Sequence, residues 1–225
     1  MIAAAASRGV AAGLATGLSA LGLDVPTSAR NKLIAYAELL SKWNQVYNLT
    51  AIREPEQVVT HHLIDSLSVL PALIPFLAAP ARVRMLDVGA GAGLPGIPLA
   101  IARPDWTVAL LDSSQKKVAF MTQAVIELQL GNIEVHAARV EKFAPHTAFD
   151  VVISRAFSAL AAFVHCSTRH LAPGGRLIAM KGIYPANELA MLPRDISVLA
   201  ISALTVPGVA AARHLIVMER RNAST

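Results

Sequence analysis

The string Asp87-Val88-Gly89-Ala90-Gly91-Ala92-Gly93-Leu94-Pro95-Gly96-Ile97-Pro98 is where this sequence concentrates its chemistry. Gly89, Gly91 and Gly93 let a backbone turn sharply and come close to a ligand. Pro95 and Pro98 suit the first turn of a helix, where a missing N–H is not needed. Gly91, Gly93 and Gly96 also satisfy the dinucleotide spacing G-x-G-x-x-G, a weak signal by itself. Asp87, two residues before the first glycine, separates the cofactor classes. A carboxylate beside a pyrophosphate is repelled; beside an ammonium or a sulfonium it is attracted. S-adenosylmethionine carries both cations and no phosphate, so Asp87 favours it over a nicotinamide dinucleotide. The plain structural alternative is that Asp87 caps its own loop.

Asp112 closes the next apolar run, about 20 residues past the glycines, where an acid accepts the hydroxyls of an adenosine ribose. The plainer alternative is that it caps a helix starting near Gln115. His61 and His62 adjoin one another with no metal-ligand spacing to a second cluster, and His62 is read as a helix-surface or RNA-facing residue with no metal. Cys166, the single cysteine, follows His165 inside an expected helix and reads as buried and inert. A lone cysteine excludes an intrachain disulfide and a thiolate metal cluster, which makes a reducing, cytoplasmic setting the simplest expectation.

These residues need elements to hold them. Apolar runs at Val83–Val88, Thr107–Asp112, Ile133–Ala137, Val151–Ser154 and Arg176–Lys181 alternate with helical patterns at 95–102, 115–129, 157–171 and 186–192. Such alternation implies parallel strands joined by crossovers. Val198–Thr205 and Arg213–Glu219, separated by Pro207 and Gly208, read as a hairpin. The expected fold is α/β: a doubly wound, mostly parallel seven-stranded sheet with an antiparallel C-terminal hairpin. Ahead of it, residues 27–48 read as a helix with Leu33, Tyr36, Leu40, Trp43 and Tyr47 on one inward stripe. A second helix starts at Pro55, with Val58, Val59, Leu63, Leu67 and Leu70 inside. The three prolines between Pro71 and Pro80 suggest a linker or broken helix. The expected organisation is therefore an N-terminal helical extension, 1–80, with a disordered or frayed lead-in over 1–24, and a cofactor-binding domain, 81–225.

Lys and Arg together number 20 against 15 Asp and Glu, a net charge of +5 with a pI of about 9.7. A basic balance favours anionic partners such as nucleic acid, although a solvated basic surface looks the same. Arg30, Lys32, Lys42 and Arg53 place some of that charge on the N-terminal helices. Gly9 to Leu23 resembles the apolar region of a secretory signal, but Arg8 is a thin positive start and glycines interrupt the run, so a frayed amphipathic helix is the preferred reading. No later segment shows the ~18 uncharged apolar residues that a membrane span needs.

The glycine loop, the Leu171–Leu177 string LAPGGRL and the terminal hairpin resemble class I methyltransferases. Further strings narrow the likeness. Trp43-Asn44, Tyr47-Asn48-Leu49-Thr50, His62 with Asp65-Ser66, the Leu94–Leu99 string LPGIPL, Ser154-Arg155-Ala156 and Lys181-Gly182 resemble the small-subunit rRNA guanine-N7 methyltransferase family G, also called the glucose-inhibited division protein B family. The likeness spans roughly 28–219. The sequence departs from the pattern in its Ala/Gly-rich start and in an expanded proline-containing stretch near 71–81. The resemblance implies cofactor contacts at Gly89, Leu94, Val140-Glu141 and Arg155, and a 16S ribosomal RNA or small-subunit substrate.

Guanine N7 has a free lone pair and no proton, so methylating it requires orientation and no general base. Arg155 and Lys181 end neighbouring strands and are the expected catalytic pair, either of them able to bind guanine O6 or a phosphate. Phe157 is expected to pack in the core, with base stacking as the alternative. A small-molecule methyltransferase, a nicotinamide-dependent oxidoreductase and an RNA-binding module with a dead cofactor site remain open on the residues alone.

Overall fold

The computed structural model describes residues 2–155, 157 and 159–221, with side chains from Gly9 onward; Ala156 of the Ser154-Arg155-Ala156 string and the side chain of Arg8 lie outside the described residues. Seven strands form one sheet: β1 Arg84–Val88, β2 Thr107–Asp112, β3 Ile133–Ala137, β4 Phe149–Ser154, β5 Leu171–Lys181, β6 Ile196–Ala203 and β7 His214–Arg220. Their order is β3-β2-β1-β4-β5-β7-β6. β7 runs antiparallel to both of its neighbours and the remaining pairs are parallel. The sheet is the one expected, with β4 and β5 beginning earlier than the apolar runs alone indicated. The helix expected over 157–171 is Leu160–Ser167 followed by a 3-10 turn.

Period-two alternation explains why this sheet is covered on both faces. Met85, Val108, Leu110, Val151, Ile153, Ile178 and Val217 belong to one apolar cluster. Their chain neighbours Leu86, Ala109, Leu111, Val152, Leu177 and Ile216 belong to the other. The first cluster also contains Val10, Leu14, Leu18, Leu33, Tyr36, Leu40, Leu63 and Leu67. The N-terminal helices therefore lie over one face of the sheet and share its core.

The lead-in, read as a frayed amphipathic helix with disorder as the alternative, is the helix α1 Ile2–Ala20, with Val10, Leu14 and Leu18 buried. Its glycines are contacts. A Cβ at Gly13 would lie 3.7 Å from Val59, and one at Gly17 would collide with Ile64. α2 spans Thr27–Tyr47. Along it Trp43 packs on Phe120, but Tyr47, expected in the core, is 45% exposed at the helix end.

From Pro55 to Phe76 the chain is helical apart from a turn at Ser68, through a π-helical stretch at Val59–Ile64 and a final 3-10 turn at Ile74–Phe76. The prolines at 71 and 75 sit inside this run, so the unstructured link is confined to the residues after Phe76. By length and composition Pro55–Phe76 is apolar enough to cross a membrane, although Glu56 and Asp65 interrupt it. Here Val58 to Leu70 is buried almost throughout, between α1 and the sheet.

Candidate functional site: two clefts at the carboxyl edge of the sheet

The glycine loop leaves β1 and folds back onto β2. Gly89 and Ala90 donate to the Leu111 carbonyl at 2.8 and 3.0 Å. The Gly91 N–H reaches Asp112 Oδ2 at 2.9 Å, and Asp112 Oδ1 accepts from the Ser114 N–H at 2.8 Å. Tyr36 Oη supports the loop from α2, donating to the Ala92 carbonyl at 2.6 Å. Gly89 has φ +70 and open space where a Cβ would stand, so the backbone itself forms the wall.

Asp87 lies under this loop and is fully buried. Its Oδ2 accepts the N–H of Gly96, the first residue of helix Gly96–Ala102, at 2.8 Å. Its Oδ1 is buried without a hydrogen-bond partner among the described residues. Burial pushes the carboxyl up to about 7, against the Gly96 N–H and the Arg155 charge. An added methyl at Gly96 would meet Asp87 Oδ2 at 2.8 Å and press harder still on Leu110. Gly96→Ala is expected to cost about 1–3 kcal/mol by overpacking. At ~2–4 °C per kcal/mol the melting temperature falls by several degrees in a thermal scan.

A cleft of about 370 Å³ opens beside the loop, lined by Gly89, Asp112, Lys117, Val140, Glu141 and Phe157 among others. Asp112 is 7% exposed and has Lys117 Nζ at 3.7 Å. Val140 is buried at the start of a 3-10 turn and Glu141 is exposed beside it. Phe157, expected in the core, is half-buried: its ring packs on Phe163 while the residue lines the cleft. Cys166, expected to be buried, is partly exposed, with Sγ 3.6 Å from Glu141 Oε1. Burial and that carboxylate push the thiol above its usual range, so it is held as a thiol.

A second cleft, about 290 Å³, adjoins the ends of β4 and β5 and is lined by His61, His62, Asp65, Arg155, Lys181 and Arg213 among others. Asp65, 2% exposed, holds two guanidiniums: Arg213 Nε at 2.8 Å and an Arg155 terminal nitrogen at 3.3 Å. Lys181 Nζ contacts both Glu188 oxygens at 2.9 and 3.0 Å and the Phe157 carbonyl at 3.2 Å. His62 is buried, contrary to the surface position expected of it. Its Nε2 lies 2.8 Å from Thr50 Oγ1 and its Nδ1 lies 3.0 Å from the His61 carbonyl. Thr50 is tied back to α2, its N–H donating to Asn44 Oδ1 at 2.9 Å. Burial, then the Arg155 charge, lower His62 to about 4, so the ring is neutral at pH 7.

The expected site residues thus divide between the two clefts. Gly89, Asp112, Val140 and Glu141 line the first, and Arg155 and Lys181 line the second. Asp87 and Leu94 lie behind the loop, Leu94 with its side chain in the core. Lys117, Asp65 and Arg213 had no expected role. Asp65 carried one usable signal: an acid on a helix buried all round needs a cationic partner. Among the described residues no group of three or more His, Cys, Asp and Glu is placed to hold a metal.

The donors of the loop decide between cofactors. A diphosphate needs the free N–H groups of the loop and helix start. Here the Gly96 and Gly91 N–H groups are spent on Asp87 and Asp112 carboxylates. Two acids, an apolar wall and an open glycine backbone fit an adenosine that carries positive charge. The fold and this cleft define a class I methyltransferase, and solved structures agree on the fold. An N-methyltransferase, NodS from Bradyrhizobium japonicum WM9 in complex with S-adenosyl-L-homocysteine, superposes with a TM-score of 0.56 at 12% identity, over 81% of this chain and 100% of that one. TrmN from Thermus thermophilus gives 0.55 at 21%, over 72% of this chain and 53% of that one.

The model of the rRNA small subunit methyltransferase G family, GidB, matches residues 29–216, and the chain belongs to that family. Relatives named ribosomal RNA small subunit methyltransferase G include those of Azoarcus sp. (strain BH72), 53% identical over 92% of this chain and 95% of theirs, and Laribacter hongkongensis, 50% identical over 90% and 95%. That of Neisseria meningitidis is 47% identical over 92% and 97%. The methyl donor is S-adenosylmethionine.

Proposed function

We propose that this protein methylates N7 of a guanine in 16S ribosomal RNA, working in the cytoplasm on RNA or on the small ribosomal subunit. In this reading the first cleft binds the cofactor. Asp112 receives the ribose hydroxyls, Val140 flanks the adenine with Glu141 at its edge, Gly89 and Gly91 give close backbone approach, and Leu94 holds the loop in place from the core. The buried Asp87 charge faces a cationic ligand across that loop. S-adenosylmethionine supplies a methyl group on a sulfonium, already activated for transfer. The second cleft receives the guanine, with Arg155 and Lys181 on its lining as donors toward O6 or a phosphate.

One observation carries the choice of N7. The two buried candidate bases of the second cleft are engaged, both His62 ring nitrogens being occupied and Asp65 held by two arginines, while His61 on the same lining has Nδ1 2.8 Å from Thr60 Oγ1. Such a cleft suits an acceptor with no proton to lose. It suits exocyclic-amine or carbon methylation less, since these must shed one. Orientation of this kind supplies ~7–11 kcal/mol of a barrier.

The test uses small subunits from a strain lacking the gene, incubated with protein and methyl-labelled cofactor. The expected label is on one 16S guanine, at a site where the base becomes cleavable after reduction and aniline treatment, as N7-methylguanine does. A deletion strain whose 16S rRNA retains every native methyl group would end the assignment.

A further inference from the structure

The chain leaving β5 does not stop at the second cleft. Immediately beyond Lys181 and Gly182 it presents Ile183 and Tyr184, 85% and 51% exposed. Isolated apolar residues on a surface need no explanation, but these two adjoin one another and directly follow Gly182 of the cleft lining. Tyr184 is also held in place. Its ring lies edge-on to His214, centroids 5.7 Å apart and planes at 80°, and His214 Nδ1 is 3.2 Å from the Gly182 carbonyl. His214 pairs with Lys181 across the β5–β7 ladder, and its neighbour Arg213 lines the cleft.

We propose that Ile183 and Tyr184 form a stacking platform for a nucleotide of single-stranded RNA that flanks the base entering the second cleft. The proposal rests on that cleft being the acceptor site. A base can enter a pocket of about 290 Å³ only after leaving its stack, which strips its neighbour of a stacking partner. Aromatic side chains replace such partners whatever the base, because every base has a π face. Arg155, Lys181 and Arg213 beside the platform outnumber the two carboxylates that pair with them, Asp65 and Glu188, and leave an excess of positive charge that suits an RNA backbone. This charge selects RNA as the occupant over an apolar protein surface.

The test compares Tyr184→Ala, Tyr184→Phe and Tyr184→Trp with the unaltered protein on small subunits from the gene-deleted strain. Tyr184→Ala is expected to raise KM for subunits about 5- to 150-fold, the range of one lost base stack, without changing cofactor Kd or melting temperature. Phe and Trp are expected to restore KM. The added fluorescence of the Tyr184→Trp variant, above that of Trp43 and Trp106, should be quenched by an oligoribonucleotide. An unchanged KM for Tyr184→Ala, failure of Phe and Trp to restore it, or an equal loss of cofactor affinity overturns the proposal. If the unaltered protein does not methylate subunits, the acceptor assignment falls first. The fluorescence titration then decides separately, since unquenched emission from the Tyr184→Trp variant means no base stacks there.

Discussion

Asp87→Asn is expected to lose most of its affinity for S-adenosylmethionine while its folded state becomes no less stable at pH 8. The two effects share one cause. The Asp87 carboxyl titrates near 7 in the folded chain and near 3.8 when unfolded, chiefly because it is buried. Between those values the folded state holds the extra proton, so Asp87 makes stability fall as pH rises from about 4 to about 7, and level off above. About three pKa units correspond to ~4 kcal/mol of cost at pH 8, which Asn does not incur. Asn keeps an oxygen for the Gly96 N–H but places an NH₂ at the unpartnered Oδ1 position, costing about 1–3 kcal/mol. The melting temperature of the Asp87→Asn variant should therefore vary less between pH 5 and 8 than that of the unaltered protein. Its cofactor Kd should rise roughly 30- to 150-fold, the ~2–3 kcal/mol of a lost unit charge. Calorimetry at pH 8 and melting scans across pH measure both. Unchanged cofactor affinity would remove Asp87 from the binding charge.

Asp65→Ala is expected to damage both stability and turnover. It strips Arg155 and Arg213 of the carboxylate that they share. Removing one partner of a buried pair costs ~3–5 kcal/mol. The two arginine side chains keep 26% and 23% exposure, and water reaches them, so about 2–3 kcal/mol is expected here. The turnover effect follows from position. With Asp65 gone, nothing else described holds Arg213 Nε, and Arg155 keeps only its His61 and His62 contacts. Displacing an orienting group by about 1 Å costs roughly 100-fold in rate. The variant should show that loss in kcat/KM on small subunits at a temperature where circular dichroism still reports folded protein. Near-normal kcat/KM would mean that the guanidiniums do not orient the acceptor.

Much of the first cleft was legible because its determinants are local. Gly89, Gly91, Asp87 and Asp112 sit at the ends of two apolar runs, and strand ends of a parallel sheet meet at one edge by topology alone. The second cleft was only half legible. Arg155 and Lys181 end neighbouring strands, so β4–β5 pairing brings them together. Asp65 and Arg213 are 148 residues apart and meet through the packing of the N-terminal helices on the sheet. His62 looked like a surface residue because helical periodicity assumes one buried face. The Pro55–Phe76 run is enclosed by α1 on one side and the sheet on the other, and its π stretch changes the phase within it.

Taken by itself, the amino-acid order determined the strand–helix alternation, the reversed final hairpin and a glycine turn with acids suited to a cationic nucleoside. These rest on interactions spanning a few residues: period-two burial, glycine conformations and the change of chain direction at Pro207 and Gly208. The tertiary structure alone decided that Asp87 and Asp112 take the Gly96 and Gly91 N–H groups, that Asp65 ties Arg155 to Arg213, and that the N-terminal helices complete the core. Those outcomes depend on which distant groups are buried together, because a charge withdrawn from water is tolerated only beside a partner that a distant segment brings to it.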